Sequence, residues 1–167
     1  EINEVKELIA ELSNNLVCEI ANYNSINQIV VSGDTEAIDL IIDKSKEKKI
    51  KAIKLLVSAP FHCKYMLETA NQLKQSFDKL IFKNPIMPIV LNYSAKPFAD
   101  LEDLKNSLVN QTFSTVRWYE SINFMITYGT NLFLEIGNAN TLSNLIKRMK
   151  FDKEFTATSL SSIKQIE

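Results

Sequence analysis

Val17-Cys18-Glu19-Ile20-Ala21-Asn22-Tyr23, then Asn24-Ser25-Ile26-Asn27, then Gln28-Ile29-Val30-Val31-Ser32 is the stretch that decides the fold class. Two short apolar runs flank four residues whose Asn and Ser content suits a turn, which is the pattern of a β-hairpin. Upstream, Ile2, Val5, Leu8, Ile9 and Leu12 recur at helical spacing. That helix begins at once, and the first residue is Glu1 rather than Met, so the chain reads as cut from something longer. Downstream, Gly33-Asp34-Thr35-Glu36 offers Asp34 or Thr35 as an N-cap. Ile38, Ile41 and Ile42 then mark the apolar face of a helix running to about Lys48. Lys51 to Val57 reads as a further strand.

The order helix, strand, strand, helix, strand suits a small α+β layer resembling a ferredoxin-like split βαβ that lacks its first strand. One more strand is therefore expected upstream. Beyond it, Met66, Leu67, Ala70, Leu73, Phe77 and Leu80 form the stripe of a helix from Lys64 to about Phe82, ended by Asn84-Pro85. Ile86 to Tyr93 reads as a buried strand, Leu101 to Gln111 and Val116 to Ile126 as helices, and Asn131 to Ile136 as a strand broken by Gly137. Leu142, Leu145, Ile146 and Met149 mark a helix, and Phe155 to Leu160 a last strand. Strands alternating with helices at this spacing indicate an α/β parallel sheet covered on both faces, with more strands than this stretch contains.

The 167 residues suffice for one ordinary domain, and 46% hydrophobic with 23% charged residues is a globular composition. A net charge of -1 gives no support to nucleic-acid binding. The sequence shows no apolar run of membrane-spanning length and no signal-peptide pattern at its start, so the expected compartment is the cytoplasm, without a membrane partner. Three glycines, none in a Gly-x-Ser-x-Gly elbow or a phosphate-cradling loop, nearly exclude a nucleotide-phosphate site, and no zinc spacing is present.

His62 is the single histidine and lies in Val57-Ser58-Ala59-Pro60-Phe61-His62-Cys63, between an apolar run and a helical pattern. An imidazole there can take and return a proton near neutral pH, or it can simply satisfy a loop. Cys63 invites a nucleophile reading, but neighbouring side chains point apart, and a small buried residue is the simpler assignment; Cys18 offers no pairing pattern with it. Lys44, Lys46, Lys48, Lys49, Lys51 and Lys54 crowd one stretch with Glu47. They read as a solvated helix end suited to the macrodipole, or as a docking patch for an acidic partner.

Four separated segments then agree in order and spacing with one family. Asn22-Tyr23-Asn24-Ser25, followed by Gln28, Val30 and Gly33, resembles the Asn-x-Asn-Ser-x-x-Gln-x-Val-x-x-Gly segment of malonyl-CoA:acyl carrier protein transacylases. Ser58 to His62 resembles their Ser-x-Pro-x-His segment. Leu108-Val109-Asn110-Gln111 with Val116-Arg117-Trp118 resembles their Leu-x-x-Gln and Pro-Val-x-Trp segment, with Thr115 in place of the proline. Phe133 to Gly137 resembles the strand before their Gly-Pro-Gly-Lys turn, which is Gly137-Asn138-Ala139-Asn140 here.

The resemblance implies a ferredoxin-like subdomain over residues 1–55, incomplete at its N-terminus. Residues 56–167 would be the C-terminal part of a large domain similar to an α/β-hydrolase core. It further implies malonyl transfer from malonyl-CoA, through a seryl ester, to the phosphopantetheine thiol of acyl carrier protein. No cofactor or metal of its own is implied, and the full-length protein would be a monomer. His62 would be the base, oriented by the main-chain carbonyl of Gln111; Asn22 and Asn24 would face the substrate cleft, or simply form an Asn-rich turn. The serine elbow, the arginine for the malonyl carboxylate and the oxyanion segment all belong upstream of Glu1, so this polypeptide alone is expected to be inactive.

Overall fold

A computed structural model describes residues 1–162. The chain opens with α1 (Ile2–Ala10), capped reciprocally by Glu1 and Glu4, followed by strands β1 (Cys18–Ser25) and β2 (Gln28–Gly33). The strands pair antiparallel, Cys18 opposite Gly33 and Ser25 opposite Gln28, with irregularities at Ala21 and Asn24. These bulges carry β1 through Asn24 and Ser25, so the reversal itself is confined to Ile26-Asn27 rather than the four residues expected. Gly33 is required by close approach: a Cβ there would lie 2.0 Å from the Val17 carbonyl oxygen. Helix α2 (Thr35–Glu47), with Asp34 as N-cap, lays Ala37 and Ile41 beside Leu8 of α1 and Cys18 of β1, and Leu12, Leu16 and Val31 close the cluster. The expected hairpin flanked by two helices is thus formed.

The further strand expected at Lys51–Val57 is not. Those residues pair with no described segment, and Leu56 is fully exposed at 101%. A β-strand exists only where its N–H and C=O groups find a neighbouring ladder, and sequence pattern cannot supply that neighbour. Ile86–Tyr93 fails as a strand for the same reason. It makes one bridge, Val90 to Pro97, around a tight turn that buries Leu91 and Ala95, while Ile86 is 97% exposed.

The long helix after His62 is also shorter than its apolar stripe. A 3-10 turn over Lys64–Met66 leads into α3 (Leu67–Phe77), after which Lys79 and Leu80 bond back to Ser76 and Phe77. The chain then reverses so that the Phe82 ring meets Phe77 edge-on at 5.1 Å. Helix α4 (Leu101–Asn110) begins at Asp100, whose side chain accepts the Asp103 N–H. Helix α5 starts at Trp118 and ends at Thr127. Val116 lies outside it because its backbone is committed to β1: its N–H donates to Ala21 and its carbonyl accepts from Tyr23, at 2.8 and 2.9 Å.

A βαβ unit is the last feature of the described residues: β3 (Leu132–Ile136), α6 (Thr141–Lys147) and β4 (Thr156–Leu160), with β3 and β4 parallel from Leu132–Thr156 to Ile136–Leu160. Ile122, Ile126, Ile146, Met149 and Ala157 form its buried core, with Trp118, Phe133, Phe151 and Phe155 packed around it. The turn at Gly137-Asn138-Ala139-Asn140 holds without a left-handed residue. Glu135 reaches from β3 to accept the Leu142 and Ser143 N–H groups at the start of α6, at 3.1 and 2.8 Å. The whole is a mixed α/β chain, a small antiparallel layer beside a parallel sheet.

Candidate active site

The site is built where the loop after residue 57 meets the C-terminal end of α4. His62 has φ of 61°, a left-handed conformation uncommon for a residue with a side chain. The main chain holds it there: the His62 N–H donates to the Thr112 carbonyl at 3.2 Å, and the Cys63 thiol donates to the Pro60 carbonyl at 3.1 Å. The imidazole Nδ1 lies 2.6 Å from the Gln111 carbonyl oxygen. A carbonyl can only accept, so Nδ1 carries the proton and the neutral ring leaves Nε2 with a free lone pair. His62 as a whole is half-buried.

Gln111 is the C-cap of α4, and its N–H bonds to Ser107. Its carbonyl therefore belongs to the negative end of the helix. The Gln111 side chain accepts a hydrogen bond from the Asn92 amide at 3.3 Å, and the Asn92 carbonyl accepts the Arg117 N–H at 2.9 Å. Arg117 is itself committed. It forks onto Glu120 at 2.5 and 2.7 Å and donates to the Ser94 carbonyl at 3.1 Å. The Glu120 carboxylate raises the Arg117 pKa further. A cleft beside it is lined by Tyr93, Ser94, Lys96, Ser114, Thr115 and Arg117.

Of the residues singled out from sequence, His62 and Gln111 meet directly. Asn22 and Asn24 lie half-buried on β1, alongside the Thr115–Val116 segment, to which β1 is joined by the Asn22–Val116 bridge and by the Thr115 hydroxyl donating to Ile20 at 2.5 Å. The hydrogen bonds of His62 run to Gln111 and Thr112 and not to either asparagine. Cys63 is fully buried beneath its bond to Pro60, and burial pushes the Cys18 thiol up to about 11, which disfavours a reactive thiolate at Cys18. Four of the six clustered lysines are paired within the chain: Lys44 and Lys48 with Glu11, Lys46 with Asp43, Lys54 with Asp39. Among the described residues no cluster of three His, Cys, Asp or Glu side chains could hold a metal, and no helix is long and apolar enough to cross a membrane. Asn92 and Thr112 are the site neighbours that sequence reading missed. Both are common loop or helix-end residues whose positions only the fold reveals.

Comparison with known proteins bears directly on this geometry. No family model matches the chain. The malonyl CoA-acyl carrier protein transacylase of Bacillus subtilis (strain 168) is 36% identical over 149 residues, 89% of this chain and 46% of that protein. The crystal structure of malonyl-CoA:acyl carrier protein transacylase from Xanthomonas oryzae pv. oryzae superposes with a TM-score of 0.92 at 33% identity, covering 99% of this chain and 52% of that one. A malonyl-transacylase in complex with a type II PKS acyl-carrier protein superposes with a TM-score of 0.91 at 28% identity, over 98% of this chain and 53% of that one. The chain thus spans about half the length of these relatives. In sequence and in fold the chain matches malonyl CoA-acyl carrier protein transacylases over about half of their length, consistent with a C-terminal portion of such a protein.

Proposed function

We propose that the chain supplies the general base of a malonyl-CoA:acyl carrier protein transacylase, the nucleophilic serine coming from the part of the relatives that it does not span. The observation that carries this reading is the 2.6 Å bond from His62 Nδ1 to the Gln111 carbonyl, which frees Nε2. In the first half-reaction Nε2 takes the serine proton as the serine oxygen attacks the malonyl thioester carbonyl. The tetrahedral adduct collapses, the carbon–sulfur bond breaks, and the imidazolium returns the proton to the coenzyme A sulfur. In the second, Nε2 takes the proton of the phosphopantetheine thiol, the thiolate attacks the seryl ester, and the proton goes back to the departing serine oxygen.

Recognition of the malonyl carboxylate calls for a bidentate arginine. Arg117 is already forked onto Glu120 and so does not serve here, which fits a carboxylate site contributed from outside this chain. The exposed apolar side chains of Ile53, Leu55, Leu56, Val57, Ile86 and Met87 mark the surface that the remaining half would cover. The division at residues 55 and 56 between a small subdomain and the larger domain belongs to the same reading, as do a cytoplasmic site of action and a monomeric full-length protein. The alternative reading, an acyltransferase unit of a polyketide-type synthase, has the support of one similar structure, of a malonyl-transacylase with a type II PKS acyl-carrier protein. The internal ion pairs of Lys44, Lys46, Lys48 and Lys54 weigh against a purely carrier-docking role for the lysine stretch. The test is malonyl transfer by this chain alone and by the chain extended upstream until a Gly-x-Ser-x-Gly segment is included. Activity only in the extended protein is expected; activity in neither would overturn the reading.

A further inference from the structure

The turn carrying His62 is gripped from two sides, and the second grip comes from the hairpin. Asp34, just past β2, exchanges two bonds with Val17: its N–H donates to the Val17 carbonyl at 2.8 Å, and its carboxylate accepts the Val17 N–H at 2.7 Å. This pair, made possible by the absent side chain of Gly33, leaves the other carboxylate oxygen facing away from the strand. There it accepts the Tyr65 hydroxyl at 2.7 Å. From β1, the Glu19 carboxylate accepts the Lys64 N–H at 3.2 Å. Lys64 opens the 3-10 turn, and Cys63, its N-cap, provides no side-chain cap, so Glu19 satisfies an otherwise orphaned donor. On its other side His62 is bound to the Gln111 and Thr112 carbonyls at the end of α4.

We infer that Asp34, Tyr65 and Glu19 are positioning residues for His62, two hairpin carboxylates strapping the Cys63–Met66 turn so that the imidazole stays seated on the Gln111 carbonyl. A residue with a side chain at positive φ is held in a costly conformation only when its surroundings over-determine it. Here bonds within three residues of His62 tie it to two separate elements, α4 and the hairpin. The strap thereby couples the small antiparallel layer to the geometry of the base. Tyr65 and the Val17 N–H, with Lys64 nearby, also hold the Asp34 carboxyl below the usual carboxylate range, so the acceptor is ionised at neutral pH. The inference rests on the reading of His62 as base, but its geometric content can be tested separately.

Because the chain has a single histidine, nitrogen NMR of the imidazole reports without ambiguity which ring nitrogen bears the proton. In the parent chain the Nδ1–H form is expected to dominate among the neutral tautomers. Tyr65→Phe removes one hydroxyl from a half-exposed ring and should leave the thermal midpoint within a few degrees. It should nevertheless shift the population toward that of a free imidazole. In the upstream-extended protein it should lower kcat by about tenfold with KM for malonyl-CoA unchanged. Glu19→Ala, which spares the hydroxyl bond, should move both readouts the same way. An unchanged Nδ1–H population in both variants would overturn the strap. A changed population with unchanged kcat would keep the strap and overturn the base role of His62.

Discussion

With one ring nitrogen committed to the Gln111 carbonyl, His62 has a single nitrogen left for proton transfer, and the function proposed here hangs on it. In the upstream-extended protein, His62→Ala should reduce malonyl transfer by about 10²- to 10⁴-fold, the usual contribution of a positioned general base. Transfer at the parental rate would remove the base assignment. Gln111→Ala keeps the carbonyl and loses only the bond from Asn92, so a steady-state assay should show a loss of less than about tenfold. At this scale His62 was legible because it is unique and sits at a junction of patterns. The carbonyl of Gln111 was reached only through family resemblance, and Asn92 and Tyr65 carried no signal, since the hydrogen bonds that matter join segments far apart in sequence.

Among the elements, the β1–β2 hairpin depends on a glycine more than its apolar runs suggest. Gly33→Ala would drive a Cβ into the Val17 carbonyl and part the pair that anchors Asp34. Denaturant unfolding should register a loss of about 3 kcal/mol. The β3–α6 connection depends on a carboxylate. Backbone N–H groups at the start of α6, that of Ser143 foremost, hold the Glu135 carboxyl below its usual range. A lowered folded-state pKa contributes stability that is present above the unfolded value and lost as pH falls through the folded one. Melting experiments should therefore show a thermal midpoint declining on acidification below the ordinary glutamate range. In Glu135→Gln the neutral-pH midpoint should be lower and the acid-side decline shallower; an unchanged profile would refute the cap. The hairpin and most helices were readable from residue spacing. The early end of α3 was not, because it is set by the packing of Phe82 back on Phe77.

Over the whole molecule the apolar residues divide into two populations. One is buried in the core of the βαβ unit around Ile122 and in the cluster of Leu8, Ala37 and Ile41 beneath the hairpin. The other is exposed along 53–57, at Ile81, Ile86 and Met87, and on one face of β3 at Leu132, Leu134 and Ile136. Surfaces of that kind mark interaction sites or aggregation liabilities. The chain alone should bind a hydrophobic reporter dye and self-associate as its concentration rises, whereas the upstream-extended protein should do neither. Equal dye binding by both would show that these residues are not covered by the part of the relatives that this chain does not span.

The sequence by itself determined what depends on near neighbours: helical stripes, a turn between two β-prone runs, an N-cap at Asp34 or Thr35, and a lone imidazole at a junction. These follow from local periodicity and side-chain chemistry, which act over a few residues. Only the tertiary structure decided which apolar runs become strands, since a ladder needs a second chain segment beside it; among the described residues 51–57 found none and 86–93 only the single Val90–Pro97 bridge, while 132–136 found 156–160. Only the tertiary structure, too, set the orientation of His62, whose carbonyl partner lies 49 residues away and whose hairpin strap begins at Val17.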